Sequence, residues 1–482
     1  MPMADITLVN LNMLYMRTVD AVAREVHLPL GALYLTSALE TAGWEVDFRD
    51  LQTNECADPF DADEIARFLN KPAPVLGLSV MANLLPFAVL AAKRFKADHP
   101  DVTVVLGGVG PFAVERQLLE RFPWIDIIAR GEAERSLPLL LQALNNGAPL
   151  DKVPGIFFRG EHGIIETPPA PRIHDLDAIP RPAYYKVNLN DYNGYGMVSS
   201  RGCPFACTFC SVAPVWGRKP CFRSPQGIVS EMKDLYEQAG VDLFLFQDEF
   251  FVASKERVLA FCHELRRSGL PVLWKSFARI DRTDSETLKT MAASNCVEVR
   301  YGVESASQKI LDRTRKGFKA EDAIKVITNA VKVMPHVDAF FMWGFPFETM
   351  AEFRQSLFQM IALRMTGVRI LPSLLCWLPQ TDLYHEYRTQ LNLEFCPGLL
   401  PEYMVTGHEI TYALEMKILP QHAAIFEFIS QHPDLFPGFF HHDLKNNIWP
   451  KLKILQQFGF YPRISSGAPT QPLSTGLAPA AV

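Results

Sequence analysis

Three cysteines stand close together in Cys203-Pro-Phe-Ala-Cys207-Thr-Phe-Cys210, and this run is the most chemically specific feature of the chain. Thiolates at this spacing converge on one inorganic centre. A structural zinc site wants four ligands, usually as two Cys-x-x-Cys pairs, and no second pair follows nearby. An iron–sulfur cluster also takes four ligands, so three thiolates would leave one iron open to a small molecule. Three inert cysteines at this spacing in a loop would be the rarer outcome. The other six, Cys56, Cys221, Cys262, Cys296, Cys376 and Cys396, are scattered and read as small buried hydrophobes, with Cys221 and Cys376 set apart because each lies near a loop at a strand end. The adjacent pair His441-His442 would point to different faces, and solvent exposure is expected for it.

The elements that would hold the cysteines follow from the apolar pattern. From residue 197 the runs Met197–Ser200, Val241–Phe246, Val272–Phe277, Val297–Val303, Val337–Met342 and Val368–Leu375 read as strands separated by helices. Ser224-Pro225 supplies an N-cap and a first-turn proline for one helix, and Gly240 closes it. Six such units predict an incomplete β/α barrel with its chemistry at the carboxyl rim of the strands, and the cysteine run follows the first of them.

Upstream, Ile6–Val9, Val46–Phe48, Val75–Ser79, Val102–Leu106 and Ile125–Ala129 alternate with helical segments. This predicts an α/β fold with a doubly wound, Rossmann-like parallel sheet. Ligands of such sheets lie beyond the carboxyl ends of the strands, which selects Ser79, Gly107, Gly108, Gly131 and Glu132. The expected division is a first domain over 1–148, a Pro/Gly-rich linker over 149–195, the barrel over 196–388, an aromatic-rich helical region over 389–464 and a disordered tail over 465–482. The aromatic rings of the helical region, including Phe395, Tyr412, Phe426, Phe428, Phe436, Phe439, Phe440, Trp449 and Phe458, are expected near the open side of the barrel, most in a core and some lining an apolar pocket.

Composition removes other classes. Among 482 residues, 47 Lys+Arg against 53 Asp+Glu give a net charge of −6, which favours neither nucleic acid nor anionic membranes. Nine cysteines are too few for a disulfide scaffold, so a reducing cytoplasm is expected. No signal peptide is evident, and the uncharged stretch Val75–Ala92 is broken by Gly77, Asn83 and Pro86, so it reads as a strand and a helix, with no membrane span.

Cys-x-x-x-Cys-x-x-Cys after the first strand of a β/α series resembles the radical S-adenosylmethionine (SAM) superfamily. That resemblance implies a [4Fe-4S] cluster on Cys203, Cys207 and Cys210, with SAM on the open iron and cleaved reductively to a 5′-deoxyadenosyl radical. It further implies that Phe209 faces the adenine, and that SAM is bound by Asp248 and Glu249 after the second strand, Arg279 after the third, Glu304 closing the fourth and Gly344 after the fifth. Leu378-Pro379-Gln380-Thr381 departs from the family's frequent Pro-Gly-Thr.

The upstream domain, from Pro29-Leu-Gly-Ala-Leu-Tyr through Val46-Asp-Phe-Arg-Asp50, resembles the cobalamin (B12)-binding domains that precede such barrels. Ser79, Gly107, Gly108, Gly131 and Glu132 would then contact the corrinoid. There is no Asp-x-His-x-x-Gly, and His27 and His99 are expected away from these loops, which implies a corrinoid held without a protein imidazole. The group resembled includes magnesium-protoporphyrin monomethyl ester cyclases, hopanoid-modifying enzymes and radical methyltransferases. The implied activity is methylation at an unactivated carbon of an apolar small molecule (a lipid, isoprenoid or tetrapyrrole), with flavodoxin or ferredoxin as electron donor. Radical oxidative cyclisation is the alternative, and a non-catalytic cluster and corrinoid sensor is the alternative from another class.

Overall fold

The computed structural model describes residues 4–11, 26–53, 67–192, 195–396, 399–406 and 423–461. Cys56, Tyr412 and the tail over 465–482 lie outside these.

The first sheet contains β1 (Ile6–Asn10), β2 (Val46–Asp50), β3 (Val75–Ser79), β4 (Thr103–Gly107), β5 (Ile127–Ala129), β6 (Ile156–Gly160) and β7 (Gly163–Glu166), in the order β2-β1-β3-β4-β5-β6-β7. Strands β1 to β5 are parallel, and the crossover direction reverses between β1 and β3. That reversal opens the crevice in which doubly wound sheets bind ligands. Strands β6 and β7 are antiparallel and come from the stretch read as linker. Its Gly and Pro content masked an ordinary hairpin: Ile156, Phe157 and Ile164, Ile165 flank the turn at Gly160–Gly163.

The second sheet contains β8 (Tyr195–Met197), β11 (Leu243–Phe246), β12 (Leu273–Ala278), β13 (Cys296–Glu304), β14 (His336–Trp343) and β15 (Arg369–Leu374), all parallel, in the order β15-β14-β13-β12-β11-β8. Its order is open, with β15 and β8 at the two edges, as expected of an incomplete barrel. Two short strands, β9 (Ser200–Arg201) and β10 (Cys221–Phe222), pair antiparallel and bracket the cysteine loop. The caps expected around Pro225–Ala239 are present: the Ser224 hydroxyl accepts from the Gly227 amide, and Gly240 takes the left-handed conformation with φ 66°. Among the described residues no helix is long and apolar enough to cross a membrane.

The C-terminal region differs from expectation. Its helix Ala423–Ser430 and the antiparallel pair β16 (Leu393–Phe395) and β17 (Phe440–His442) pack against the first domain. Phe426, Phe436, Phe439 and Phe440 join one core with Val89, Phe95, Leu118 and Phe122. An amphipathic segment records that it has an apolar face, not which layer will cover it. Trp449 and Phe458 are exposed, and Phe460 and Tyr461 join the barrel core. The histidine pair splits as a strand requires. His441 is buried with its Nε2 2.7 Å from the Leu399 carbonyl, contrary to the exposure expected, and His442 is half-buried with its Nδ1 accepting from the Asn392 amide at 3.2 Å.

Candidate active site between the two sheets

The loop after β9 carries all three clustered cysteines, each partly covered. Burial pushes the Cys203 thiol up and the Cys210 thiol up to about 12, so as free thiols they hold their protons and metal binding must displace them. Cys207 and Cys210 open onto a cavity of about 330 Å³, closed on the far side by Gln380, Asp382 and His385. Two cations stand by the loop. The Arg279 Nη1 is 4.0 Å from the Cys207 sulfur and its Nη2 donates to the Lys316 carbonyl at 2.6 Å, while its guanidinium lies 3.4 Å over the Phe205 ring. The Lys316 Nζ is 5.8 Å from the Phe209 ring centroid. Such cations offset the negative charge that three thiolates would gather.

Lys316 is buried and donates to Glu304 at 2.6 Å. Glu304 ends β13 at a register shift and sits at φ 65°, a strained conformation for a residue with a side chain, which turns its carboxylate to the ammonium. Phe209 packs against Phe345 at 6.3 Å, beside Gly344. The structure thus gathers Cys203, Cys207, Cys210, Phe209, Arg279, Glu304 and Gly344 around one rim.

Asp248 faces inward. Its Oδ1 accepts from the Ser199 amide at 2.8 Å and from the Ser199 and Ser200 hydroxyls at 3.0 and 2.6 Å, while its Oδ2 has no partner among the described residues. It locks the strand ahead of the cysteine loop. Glu249 keeps accessible surface yet is walled in by protein, and this enclosure raises its carboxyl to about 7.

A second cavity, of about 380 Å³, lies at the crevice of the first sheet. Asn10, Ser79, Gly108 and Gly131 line its first-domain side, and Arg201, Val215, Trp216 and Gln247 close it from the barrel side. Leu11, Leu28, Leu84 and Phe112 make much of the wall apolar. Gly131 has φ 88° and a Cβ there would meet nothing within 4 Å, so the loop is an open cradle. The buried Asn83 Oδ1 in the wall lacks a partner among the described residues. Gly107 is not part of the wall; its carbonyl accepts from the Val80 amide at 3.0 Å, and Gly108 and Val109 face the space instead. His27, expected away from these loops, lines the wall, because residues 26–29 lead into the helix Leu30–Thr41 across the strand ends.

Glu132 is held in ion pairs. It accepts from Arg201 at 3.0 Å and from the Ile173 amide at 2.7 Å, and lies 3.7 Å from Arg172; Glu134 accepts from Arg201 at 2.6 Å. Arg201 also lies 5.3 Å from the Trp216 ring centroid. Its guanidinium stays charged: burial opposes the charge, but Glu134 and Glu132 outweigh it and raise its pKa. Sequence reasoning missed Arg201, Lys316 and Trp216. Arg201 stands two residues before Cys203, a position that hints at a role, whereas its acidic partners are almost seventy residues away in sequence.

The radical SAM superfamily model matches residues 197–360 and the B12 binding domain model matches residues 16–141. An uncharacterized methyltransferase of Pyrococcus horikoshii is 29% identical over 330 residues, covering 67% of this chain and 71% of that protein. The anaerobic magnesium-protoporphyrin IX monomethyl ester cyclase of Cereibacter sphaeroides is 30% identical over 330 residues, covering 65% of this chain but only 52% of the cyclase. Among solved structures, the radical SAM methyltransferase TsrM from Kitasatospora setae, with cobalamin and a [4Fe-4S] cluster bound, aligns with a TM-score of 0.64 at 21% identity, covering 80% of this chain and 74% of that one. At that identity the likeness is one of fold.

Proposed function

We propose that this chain, whose residues 197–360 match the radical SAM superfamily and whose residues 16–141 match the B12 binding domain, is a radical SAM enzyme that methylates an unactivated carbon of an apolar small molecule. The observation that carries this reading is the 380 Å³ cavity, walled on one side by the strand ends of the B12-binding domain and on the other by Arg201, Val215 and Trp216, which flank the cysteine loop. One space therefore adjoins both proposed cofactor sites. When bound, the cluster and SAM supply the 5′-deoxyadenosyl radical, and the corrinoid supplies a transferable methyl group.

The residues present fit both groups. Cys203, Cys207 and Cys210 would hold three irons and leave the fourth to SAM, with Arg279 and Lys316 offsetting the thiolate charge. Phe209, Asp248, Glu249, Glu304 and Gly344 are the proposed SAM-side residues, with Asp248 acting through the strand it locks. Ser79, Gly108 and the open Gly131 would cradle the corrinoid, and the Asn83 oxygen, without a partner among the described residues, suits an amide N–H of its periphery. Glu132 serves by holding Arg201, and Gly107 by fixing the β3–β4 loops. The apolar wall around Leu11, Leu28, Leu84 and Phe112 supports a lipid, isoprenoid or tetrapyrrole over a peptide or nucleic acid. The electron would come from a flavodoxin- or ferredoxin-type donor, in the cytoplasm. The unit divisions we propose are the first domain, the barrel and the C-terminal cover described above.

The test is anaerobic reconstitution with iron, sulfide and hydroxocobalamin. The expected outcome is corrinoid retained at one per chain, 5′-deoxyadenosine formed on reduction, and label from methyl-labelled SAM carried into an apolar acceptor. Release of 5′-deoxyadenosine without label transfer would instead support the cyclase-type reaction. Absence of iron–sulfur absorbance, or iron binding unchanged when the three cysteines become Ala, would refute the reading.

A further inference from the structure

The loop after β14 is fastened from a distant part of the chain. Gly344 stands there at φ 88°, where a Cβ would come within 2.8 Å of Leu374 and 3.1 Å of Ile448. Both of its backbone polar groups are taken by side chains, one buried and one half-buried: its amide donates to the Glu348 Oε2 at 3.0 Å, and its carbonyl accepts from the Asn447 Nδ2 at 3.0 Å. Lys451 joins those two. Its ammonium donates to the Glu348 Oε2 at 2.7 Å, to the Glu348 carbonyl at 3.1 Å and to the Asn447 Oδ1 at 2.5 Å.

Lys451 and Glu348 are almost wholly enclosed, with side-chain exposures of 2% and 0%. A buried ion pair gains little over an apolar replacement of the same shape, so stability alone is a weak reason to keep one. Asn447 lies in a π-helical turn, Leu444–Ile448, that leads into the helix Trp449–Gln457 bearing Lys451. Single π turns recur at functional sites, and this one sets the amide and the ammonium on the same loop. What the loop presents is Phe345, fully buried, whose ring meets Phe209 between Cys207 and Cys210.

We propose that Glu348, Asn447 and Lys451 are positioning residues that fix the peptide of Gly344, and through Phe345 the side of the cysteine loop that receives SAM. The C-terminal segment is then part of the SAM site through its contacts with Gly344. This rests on the reading of the cysteine loop as a cluster and SAM site.

The test uses the full-length, reconstituted protein with Asn447→Leu and Lys451→Met. SAM is titrated onto the dithionite-reduced cluster and followed by the change in its electron paramagnetic resonance spectrum, with iron content measured alongside. Both variants are expected to load iron as the wild type does and to require about fivefold more SAM or greater, the weight of one lost hydrogen bond. Asn447→Leu leaves the Lys451–Glu348 pair intact, so it carries the test if Lys451→Met does not fold. A smaller shift in Asn447→Leu at full iron content overturns the proposal, and so does loss of its iron, since the triad would then be holding the cluster loop itself. A wild-type cluster that does not respond to SAM refutes the radical SAM reading, and this inference with it.

Discussion

Replacing Arg201 by Met should loosen the joint between the two sheets by an amount the geometry lets one estimate. The guanidinium is 8% exposed and pairs at 3.0 and 2.6 Å with Glu132 and Glu134, themselves 4% and 10% exposed. Removing one partner of a buried pair leaves an uncompensated charge and costs about 3–5 kcal/mol. The lower end applies, because Glu132 keeps the Ile173 amide and the nearby Arg172, while Glu134 faces a cavity that admits water. About 3 kcal/mol at roughly 2–4 °C per kcal/mol for a barrel-sized unit lowers its Tm by roughly 6–12 °C. The assay is anaerobic thermal unfolding followed by circular dichroism, in a cycle with Glu134→Leu and the double variant. Because an apolar replacement of both partners is far cheaper than breaking the pair, the double variant should recover about 1 kcal/mol or more relative to additivity. A Tm within about 2 °C of wild type for Arg201→Met, or strict additivity in the cycle, would refute the claim that this pair holds the domains together.

Three further outcomes concern Glu298, His441 and Gly108. Burial alone would raise the Glu298 carboxyl, but Arg300 and Lys275, with Arg369 behind them, hold it well below the usual range. Its contribution is therefore present above its unfolded pKa and lost as pH falls toward its folded one, so the stability gap to Glu298→Gln, about 3 kcal/mol at pH 7 in urea titrations, should narrow steadily below about pH 4; a gap that is constant with pH counts against it. Burial lowers His441 to about 4, its bond to Leu399 offsetting this only in part. The folded state then resists a proton that the unfolded chain accepts, so the wild type should lose about 1.6 kcal/mol between pH 6.5 and 5, and His441→Gln should not share that loss in the same titrations. Gly108 has φ 87°, and a Cβ there would lie 2.4 Å from the Val80 carbonyl, so Gly108→Ala should cost more than about 1 kcal/mol and reduce corrinoid retention after gel filtration; retention equal to wild type would remove Gly108 from the proposed cradle.

What could be read from the sequence was local. Strand periodicity and the spacing of Cys203, Cys207 and Cys210 are short-range patterns, and the parallel strands of both sheets follow the expected runs to within a few residues, whereas the hairpin β6–β7 was hidden in the Gly/Pro-rich stretch. The rim charges were harder. An acid at a strand end serves a ligand or a neighbouring cation, and its type alone does not say which. Glu132 and Asp248 are both engaged by the protein, one by Arg201 and the other by Ser199 and Ser200, whereas Glu249 keeps open surface. The distinction depends on which loop the topology brings opposite, and that is set by pairings of 69 residues for Arg201 with Glu132 and 103 for Lys451 with Glu348.

The C-terminal rings make the same point from the apolar side. Their number announced a buried face, but apart from the exposed Trp449 and Phe458 the described ones pack on the first domain or within the barrel core, and none of the described ones lines the cavity between the sheets. The apolar wall of that cavity is built instead by leucines at the strand ends of the first domain and by Trp216 after the cysteine loop. Substrate choice on this reading is written in the loops that also carry the cofactors, so changes at Leu28, Leu84 or Trp216 should alter which acceptor is methylated, while changes among the C-terminal aromatics should alter stability alone.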